Sequence, residues 1–355
     1  MQRIRVIKRQ ERLGWRSCFV LLAAIGLSII LSGIFLALRG TPPMEGLVTL
    51  FTGAFGSRWA IEDSLIKAIP IFFCSLGVAI AFRLQIWNIG AEGQFALGAI
   101  GATWVALTFP DLPKPLLIPF MIAAACLAGG GWGMVPAVLR QRLGTNEIIV
   151  SLMMNYIAIL LLDYLVYGIW KDPTSFGFPM TTVFSDQAIV GKIGTTGVNT
   201  GLFHCLGLGF LFWIFFTFTR IGFELKASGD SVRAARYAGI RYDYLVVLVM
   251  VLSGALAGWA GFLEASATIN RLQPSIMVGY GYTAIVVAWL ARLNPLGIAV
   301  TSLLLAGLRV GVESLQLDLQ VPAAFGNMLE GIILMTVLAS GFFINYKMVF
   351  TRKAA

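Results

Sequence analysis

In the heptapeptide NIGAEGQ, residues 88–94, a carboxylate and two carboxamides stand among glycines at the mouth of the apolar run FALGAIGATWVAL. Asn88, Glu92 and Gln94 could hydrogen-bond a polar solute, or satisfy backbone groups where a helix is interrupted inside a membrane. A second polar stretch, VGYGYTAIVVAW, places Tyr280, Tyr282 and Thr283 at the head of a later apolar run. Plainer roles exist for most of these residues. Asn88 can simply cap a helix, as can Asn146, and Tyr280 and Tyr282 fit an interfacial aromatic belt. Glu92 is harder to dismiss, because an ionisable group one turn into a span is costly unless it meets water or a partner. Glu264 is similar, although its place near the outer end of its run suits an interfacial carboxylate as well as a gate.

A different kind of chemistry, recognition between proteins, is suggested by segment 220–242, RIGFELKASGDSVRAARYAGIRY. Asp230 or Ser231 can cap a short helix over SVRAARYA, and Gly239 can end it. Such a helix is too short and too polar to span a bilayer. Arg233, Arg236 and Tyr237 lie three and four residues apart and so share one face. A solvated basic loop is the plain alternative, but the capped helix with small residues between the arginines favours docking of a partner.

The elements that must position these residues are membrane spans. Of 355 residues 58% are hydrophobic and 12% charged, with a mean hydropathy of +0.84, against about 25% charged in soluble domains. Apolar runs tile the chain near 17–38, 64–82, 89–109, 116–139, 146–167, 201–219, 243–264, 277–291, 296–315 and 322–344, which predicts an all-α integral membrane protein with about ten transmembrane helices. The stretch MQRIRVIKRQERLGWR carries six basic residues, and the run after it is too long for a signal-peptide core, so it is expected to be a retained first span. With the N-terminus inside, the inner loops and tails hold about 18 of the 26 Lys and Arg residues, the positive-inside pattern. The expected layout is a basic cytoplasmic tail over 1–16, one transmembrane domain over 17–346, and a second basic cytoplasmic tail over 347–355. An extracytoplasmic loop over 168–200 and the inner loop over 220–242 interrupt the domain. The net charge of +9 is spread over short loops rather than gathered on one face, so nucleic acid is not the expected partner. Within the ninth run Arg309 has Glu313 one turn on, a charge pair at helical spacing.

Runs two to five correspond weakly to runs seven to ten. NIGAEGQFALGAIG answers VGYGYTAIVVAWLARLNPLG, and NEIIVSLMMNYIA answers GNMLEGIILMTVLA. The two sets start from opposite sides, so the repeats are inverted, as in many transporters. Gly254 with Gly258, Gly307 with Gly311, and the cluster Gly129-Gly130-Gly131-x-Gly133 recur at distances that allow close helix packing. There is no phosphate-binding loop, no metal-spaced His or Cys cluster, and a single histidine, His204. The four cysteines lie apart from one another, and packing is their expected role.

KAIPIFFCSLGVAIAFRLQIWNIGAEGQFALGAIGA, LGTNEIIVSLMMNYIAILLLDYL, ARYAGI, SGALAGWAGFLEA and GYGYTAIVVAWLARLNPLGI occur in that order. Together they resemble the permease subunit of nucleoside and simple-sugar ABC importers, in the branch that works with basic-membrane-lipoprotein-type binding proteins. The resemblance covers about residues 64–340. It implies a type II importer-like fold, two permease subunits, two cytoplasmic ATPases that bind ATP and Mg, and an external substrate-binding protein. No cofactor is then held by this chain, and the membrane is the bacterial inner one, with both termini cytoplasmic. Segment 229–240 matches the family's coupling helix, so Gly229, Asp230, Arg233, Arg236, Tyr237 and Gly239 are expected to meet the ATPase. The longer basic N-terminus resembles that of one of two paired permeases and implies a heterodimer with a paralogous subunit. Three departures stand out: Gly229-Asp-Ser-Val in place of Gly-Glu-Asn-Pro, Glu330 in place of Gln, and Trp289 in place of Leu.

On this resemblance the chain moves solute by alternating access and carries no catalytic residue of its own. Asn88, Glu92 and Gln94 would line or gate the path from one repeat, with Tyr280, Tyr282 and Thr283 answering from the other and Glu264 nearby. Rings and amides suit a nucleoside, whose base stacks and whose ribose needs hydrogen bonds. A simple sugar or a flavin-like or purine-like solute is the alternative. An ion-coupled secondary transporter would need embedded carboxylates at an ion site, and a membrane enzyme would need a catalytic constellation, for which the sequence offers little.

Overall fold

The structure is a computed structural model and describes residues 3–8, 16–38 and 40–351. Most of it is helical: α1 (Arg16–Leu38), α2 (Pro43–Phe55), α3 (Arg58–Arg83), α4 (Ala91–Thr108), α5 (Lys114–Leu143), α6 (Glu147–Tyr167) and α7 (Gly201–Phe218) are followed by two short helices, α8 (Arg220–Asp230) and α9 (Val232–Tyr237). Then come α10 (Tyr242–Leu263), α11 (Tyr280–Leu290), α12 (Pro295–Asp318) and α13 (Ala323–Asn345). Two strands, β1 (Arg3–Lys8) and β2 (Tyr346–Thr351), pair antiparallel with Arg3 opposite Thr351. Parts of the expected basic tails thus form a ribbon, while 9–15 and 352–355 lie outside the described residues.

Each of the ten apolar runs contains a helix. Among the described residues, six are long and apolar enough to cross a membrane: α3, α5, α6, α7, α10 with its continuation, and α12. Helix α11 has 11 residues, about 16 Å of rise, roughly half the hydrocarbon core. The polar α4 start and the short α11 each follow a break in the chain. Before α4 the chain turns through Gln85 (φ 59°); before α11 it passes Asn270 (φ 58°) and Gly279 (φ 86°). Helix α10 runs on as a π-helical segment over Glu264–Ile269 before its break. Helix α2 was not expected: it is short, and its buried stripe is Gly46, Leu50 and Ala54.

The chain forms two compact units. In the unit Glu62–Ala306, helices α4, α5 and α10 pack on one another through glycines. A Cβ added to Gly98 would meet the Gly258 backbone, and one on Gly129 would meet the carbonyl of Gly254. The expected small-residue contacts are therefore real, with Gly131 as the exception, since it faces open space. The loop 168–200 covers one end of this unit. Thr181 N–H donates to Leu272 O at 3.0 Å, Phe184 N–H to Asn270 O at 2.9 Å, and Gly197 N–H to the Glu62 carboxylate at 2.8 Å. Within the loop, the Thr174 hydroxyl and N–H hold the exposed Asp172 carboxyl below its usual range.

The second unit joins Met1–Ile61 to Gly307–Ala355. Leu36, Leu50, Val312, Leu315 and Leu329 form its core, and Phe35 stacks on Phe325 at 4.2 Å. Arg309 Nε lies 3.1 Å from a carboxylate oxygen of Glu330 on α13. The acid at 330 thus has a cation to face, which makes sense of one departure from the family pattern.

Replacing Gly258 by Leu should force α10 away from α5 and cost about 1–3 kcal/mol or more. A large drop in the melting temperature of the solubilised protein is expected, whereas Gly131→Ala should leave it unchanged or slightly raised, its added methyl meeting nothing and its helix propensity improving.

Candidate functional site

The two breaks meet. Helix α4 starts where α11 starts, and a Cβ on Gly281 would collide with the backbone of Ala91 and Glu92. That approach lets the Glu92 carboxylate, 2% exposed, reach the head of the other helix. It accepts hydrogen bonds from Gly279 N–H at 2.8 Å and Gly281 N–H at 2.7 Å. Helix N-termini carry unsatisfied N–H groups and a partial positive charge, so a carboxylate there is stabilised both ways. Glu92 therefore acts as a cap supplied by one helix to another.

Asn88 and Gln94 close on each other. Asn88 Nδ2 donates to Gln94 Oε1 at 2.8 Å, and Gln94 Nε2 returns a bond to Asn88 Oδ1 at 3.1 Å. Asn88 Nδ2 also donates to Ser253 Oγ on α10 at 2.8 Å, and its Oδ1 accepts from Gly90 N–H at 3.0 Å. Both amides are buried, and these mutual bonds offset the cost of placing them there.

One organiser was missed in the sequence. Asn155 on α6, fully buried, accepts from Gly93 N–H at 2.9 Å and donates to Ile89 O at 2.9 Å and to the Tyr282 hydroxyl at 3.1 Å. It ties the α4 break, α6 and α11 together. An amide inside the apolar run IIVSLMMNYIA was the available signal, because a buried carboxamide in a span needs partners.

Of the other expected residues, Tyr280 is buried edge-on against Phe95 at 5.9 Å, and the Thr283 hydroxyl donates to Gly279 O at 3.1 Å. Tyr282 is 40% exposed, so its ring offers a surface beyond the cluster. Glu264 lies apart, in the π-helical segment, where Thr268 of the next turn donates to it at 3.4 Å. The structure thus brings together six of the seven gate candidates and leaves Glu264 outside their hydrogen-bond network.

Comparison with known proteins fixes the family. Residues 60–338 match the family described as the permease component of the branched-chain amino acid transport system. The chain belongs to this permease family. The glucose ABC transporter permease protein of Haloferax volcanii is 31% identical, covering 90% of this chain and 87% of its own. The guanosine ABC transporter permease protein of Bacillus subtilis is 29% identical over 92% and 94%, and a nucleoside ABC transporter permease protein of Lactococcus lactis is 31% identical over 85% and 86%.

In this permease the segment 220–242 holds the short capped helix the sequence suggests, α9, and before it a second helix, α8, that the sequence reading did not anticipate. Ser231, rather than Asp230, caps α9 by accepting from Ala234 N–H at 3.3 Å. Gly239 ends it with φ 79°, while Ile240 N–H returns to Ala235 O at 3.0 Å, the usual glycine-terminated helix end. Gly229 packs on the end of α3, where a Cβ would strike Arg83 O. Asp230 and Arg233 are exposed, and Tyr237 is 94% exposed. Arg236 is drawn aside, 3.4 Å from Asp243 and 5.6 Å over the Tyr242 ring, so Arg233 and Tyr237 are the freer pair.

Glu92→Gln keeps the shape but turns an NH2 group toward a backbone N–H. It should destabilise the permease by about 1.5–3 kcal/mol, the worth of a hydrogen bond to a charged group, read as a lower melting temperature. Asn155→Leu removes three buried bonds and should cost at least as much.

Proposed function

We propose that this permease is one transmembrane half of an ATP-driven ABC importer that moves a nucleoside or a related small polar solute across the bacterial inner membrane by alternating access. The observation that carries the reading is near full-length similarity to ABC transporter permeases for guanosine, nucleosides and glucose. Its partners are a cytoplasmic ATPase that binds ATP and Mg, a second and paralogous permease, an external substrate-binding protein and the bilayer. Residues 17–346 serve as one transmembrane domain of about ten spans, built as inverted repeats in a type II importer-like arrangement. Two features support the repeats. Each set has an interrupted backbone before its second helix, and each joins its third and fourth helices by an ion pair, Arg140 with Glu147 and Arg309 with Glu330.

Both termini are assigned to the cytoplasm from the distribution of basic residues. The pairing of β1 with β2 supports a common side. Segment 220–242 then faces the ATPase, and α9 enters it with Arg233 and Tyr237 foremost. In the gate, Asn88, Glu92 and Gln94 hold the break while Tyr282 presents its ring to the path; Glu264 acts nearer the outside. The Haloferax relative's glucose favours a second reading, a simple sugar, which competition for uptake separates from the first.

Vesicles holding the complete importer should take up labelled nucleoside only with ATP and the ATPase; uptake without either would sink the model. Arg233→Glu with Tyr237→Ala should lower ATPase co-purification at least about tenfold, the loss of about 1.4 kcal/mol or more expected of an interface hot spot. Arg236→Ala should do less, since that side chain is already engaged.

A further inference from the structure

At the end of the bundle that carries segment 220–242, a cavity of about 540 Å³ opens between the ends of α3 and α7, the helix α8 and the turn before α12. Its lining holds three cations, Arg83, Lys226 and Arg292, and no carboxylate. Among the described residues none of the three takes part in an ion pair. Phe212, Trp213 and Phe216 supply an apolar wall.

Arg83 is fixed in the cavity. Its guanidinium carbon lies 4.2 Å from the centre of the Phe216 ring, and Nη2 donates to Leu293 O at 2.9 Å. Leu293 and Arg292 both take left-handed backbone, φ 59° and 50°, which folds this turn back on itself. The Arg83 Nε donor is buried and has no partner. A buried donor of that kind calls for an acceptor. Lys226 and Arg292 stand exposed on the same lining.

The surroundings indicate what the acceptor is attached to. Only 17% of the apolar window of α7 is buried, the least of the six long helices, and Phe210, Trp213, Phe218 and Phe223 are exposed beside the cavity. An anion that brings its own apolar chains matches both halves of the site. Basic pockets between membrane helices at the cytoplasmic side hold lipid headgroups on this principle.

We propose that the cavity binds the phosphate of an anionic glycerophospholipid of the inner leaflet, with Arg83, Lys226 and Arg292 around the phosphate and the acyl chains along Trp213 and the outer face of α7. The choice of leaflet rests on the cytoplasmic assignment of segment 220–242 proposed above, and the site does not depend on the solute. The site would hold a lipid against the helix that leads into the docking segment, so lipid charge would bear on how firmly α8 is seated.

The test is native mass spectrometry of the assembled importer, stripped of lipid and titrated with phosphatidylglycerol. Retained phosphatidylglycerol is expected, with phosphatidylcholine of the same chains bound far less and glycerol phosphate failing to displace it. Lys226→Gln with Arg292→Gln should weaken retention about 25-fold, about fivefold for each basic residue lost, while Lys226→Arg with Arg292→Lys retains it. Both pairs are exposed, and an unchanged melting temperature certifies the fold. Equal retention by the Gln pair, equal binding of phosphatidylcholine, or displacement by glycerol phosphate would each overturn the assignment. So would retention by the isolated permease that is lost in the assembled importer, which would make the cavity a contact of the ATPase.

Discussion

An interrupted helix inside a bilayer exposes backbone N–H groups where no water reaches, and each must find an acceptor. In this permease α11 begins at a break beside the start of α4, and the acceptor for its head is Glu92, bound to Gly279 N–H and Gly281 N–H. Glu92 sits in the first turn of α4, so its charge lies near the positive ends of two helices at once. That double placement accounts for the burial of this carboxylate. It also dictates the neighbouring residues: Gly281 must lack a side chain to let the helices approach, and Gly279 must accept a left-handed backbone to aim its N–H.

From that contact the polar network spreads to the rest of the unit. Asn155 binds the α4 break from α6 and reaches Tyr282 on α11, while Asn88 reaches Ser253 on α10. A helix moving in such a network must exchange several hydrogen bonds together, which favours discrete arrangements over gradual deformation. Alternating access requires that kind of element. The glycine contacts among α4, α5 and α10 suit it as well, because smooth backbone surfaces lack the interlocked side chains that would resist sliding.

Much of this was legible in the sequence, and the failures have specific causes. The ten apolar runs all hold helices because hydrophobic length is a strong signal in a membrane chain. Helix α2 was missed because its 13 residues fall below span length and its buried stripe rests on a glycine and an alanine, which carry little hydrophobic signal. NIGAEGQ was recognised as a break, but not that Glu92 caps a helix almost 190 residues away; side-chain partners across a fold leave no local spacing to read. Asn155 was hidden by its neighbours, since one amide in an apolar run resembles tolerated polarity until its three partners are seen. Arg309 was matched with Glu313 by helical spacing, while the structure adds Glu330 from the facing helix.

The departures from the family pattern also acquire local reasons. Trp289 stacks on Trp87 at 5.7 Å and meets Phe82 at 6.1 Å, so an aromatic cluster fills a place where leucine is expected. Glu330 faces Arg309, and two half-buried charges of opposite sign are tolerable together where either alone would be costly. In segment 220–242, Ser231 supplies a side-chain cap to α9, so helix initiation does not need the proline expected from the resemblance. Each departure is compensated within one or two side chains, and none touches the bonds between Glu92 and the head of α11. Variation of this kind is what a fold allows when its indispensable constraint is a backbone requirement: the surrounding side chains can change so long as a carboxylate still reaches those two N–H groups.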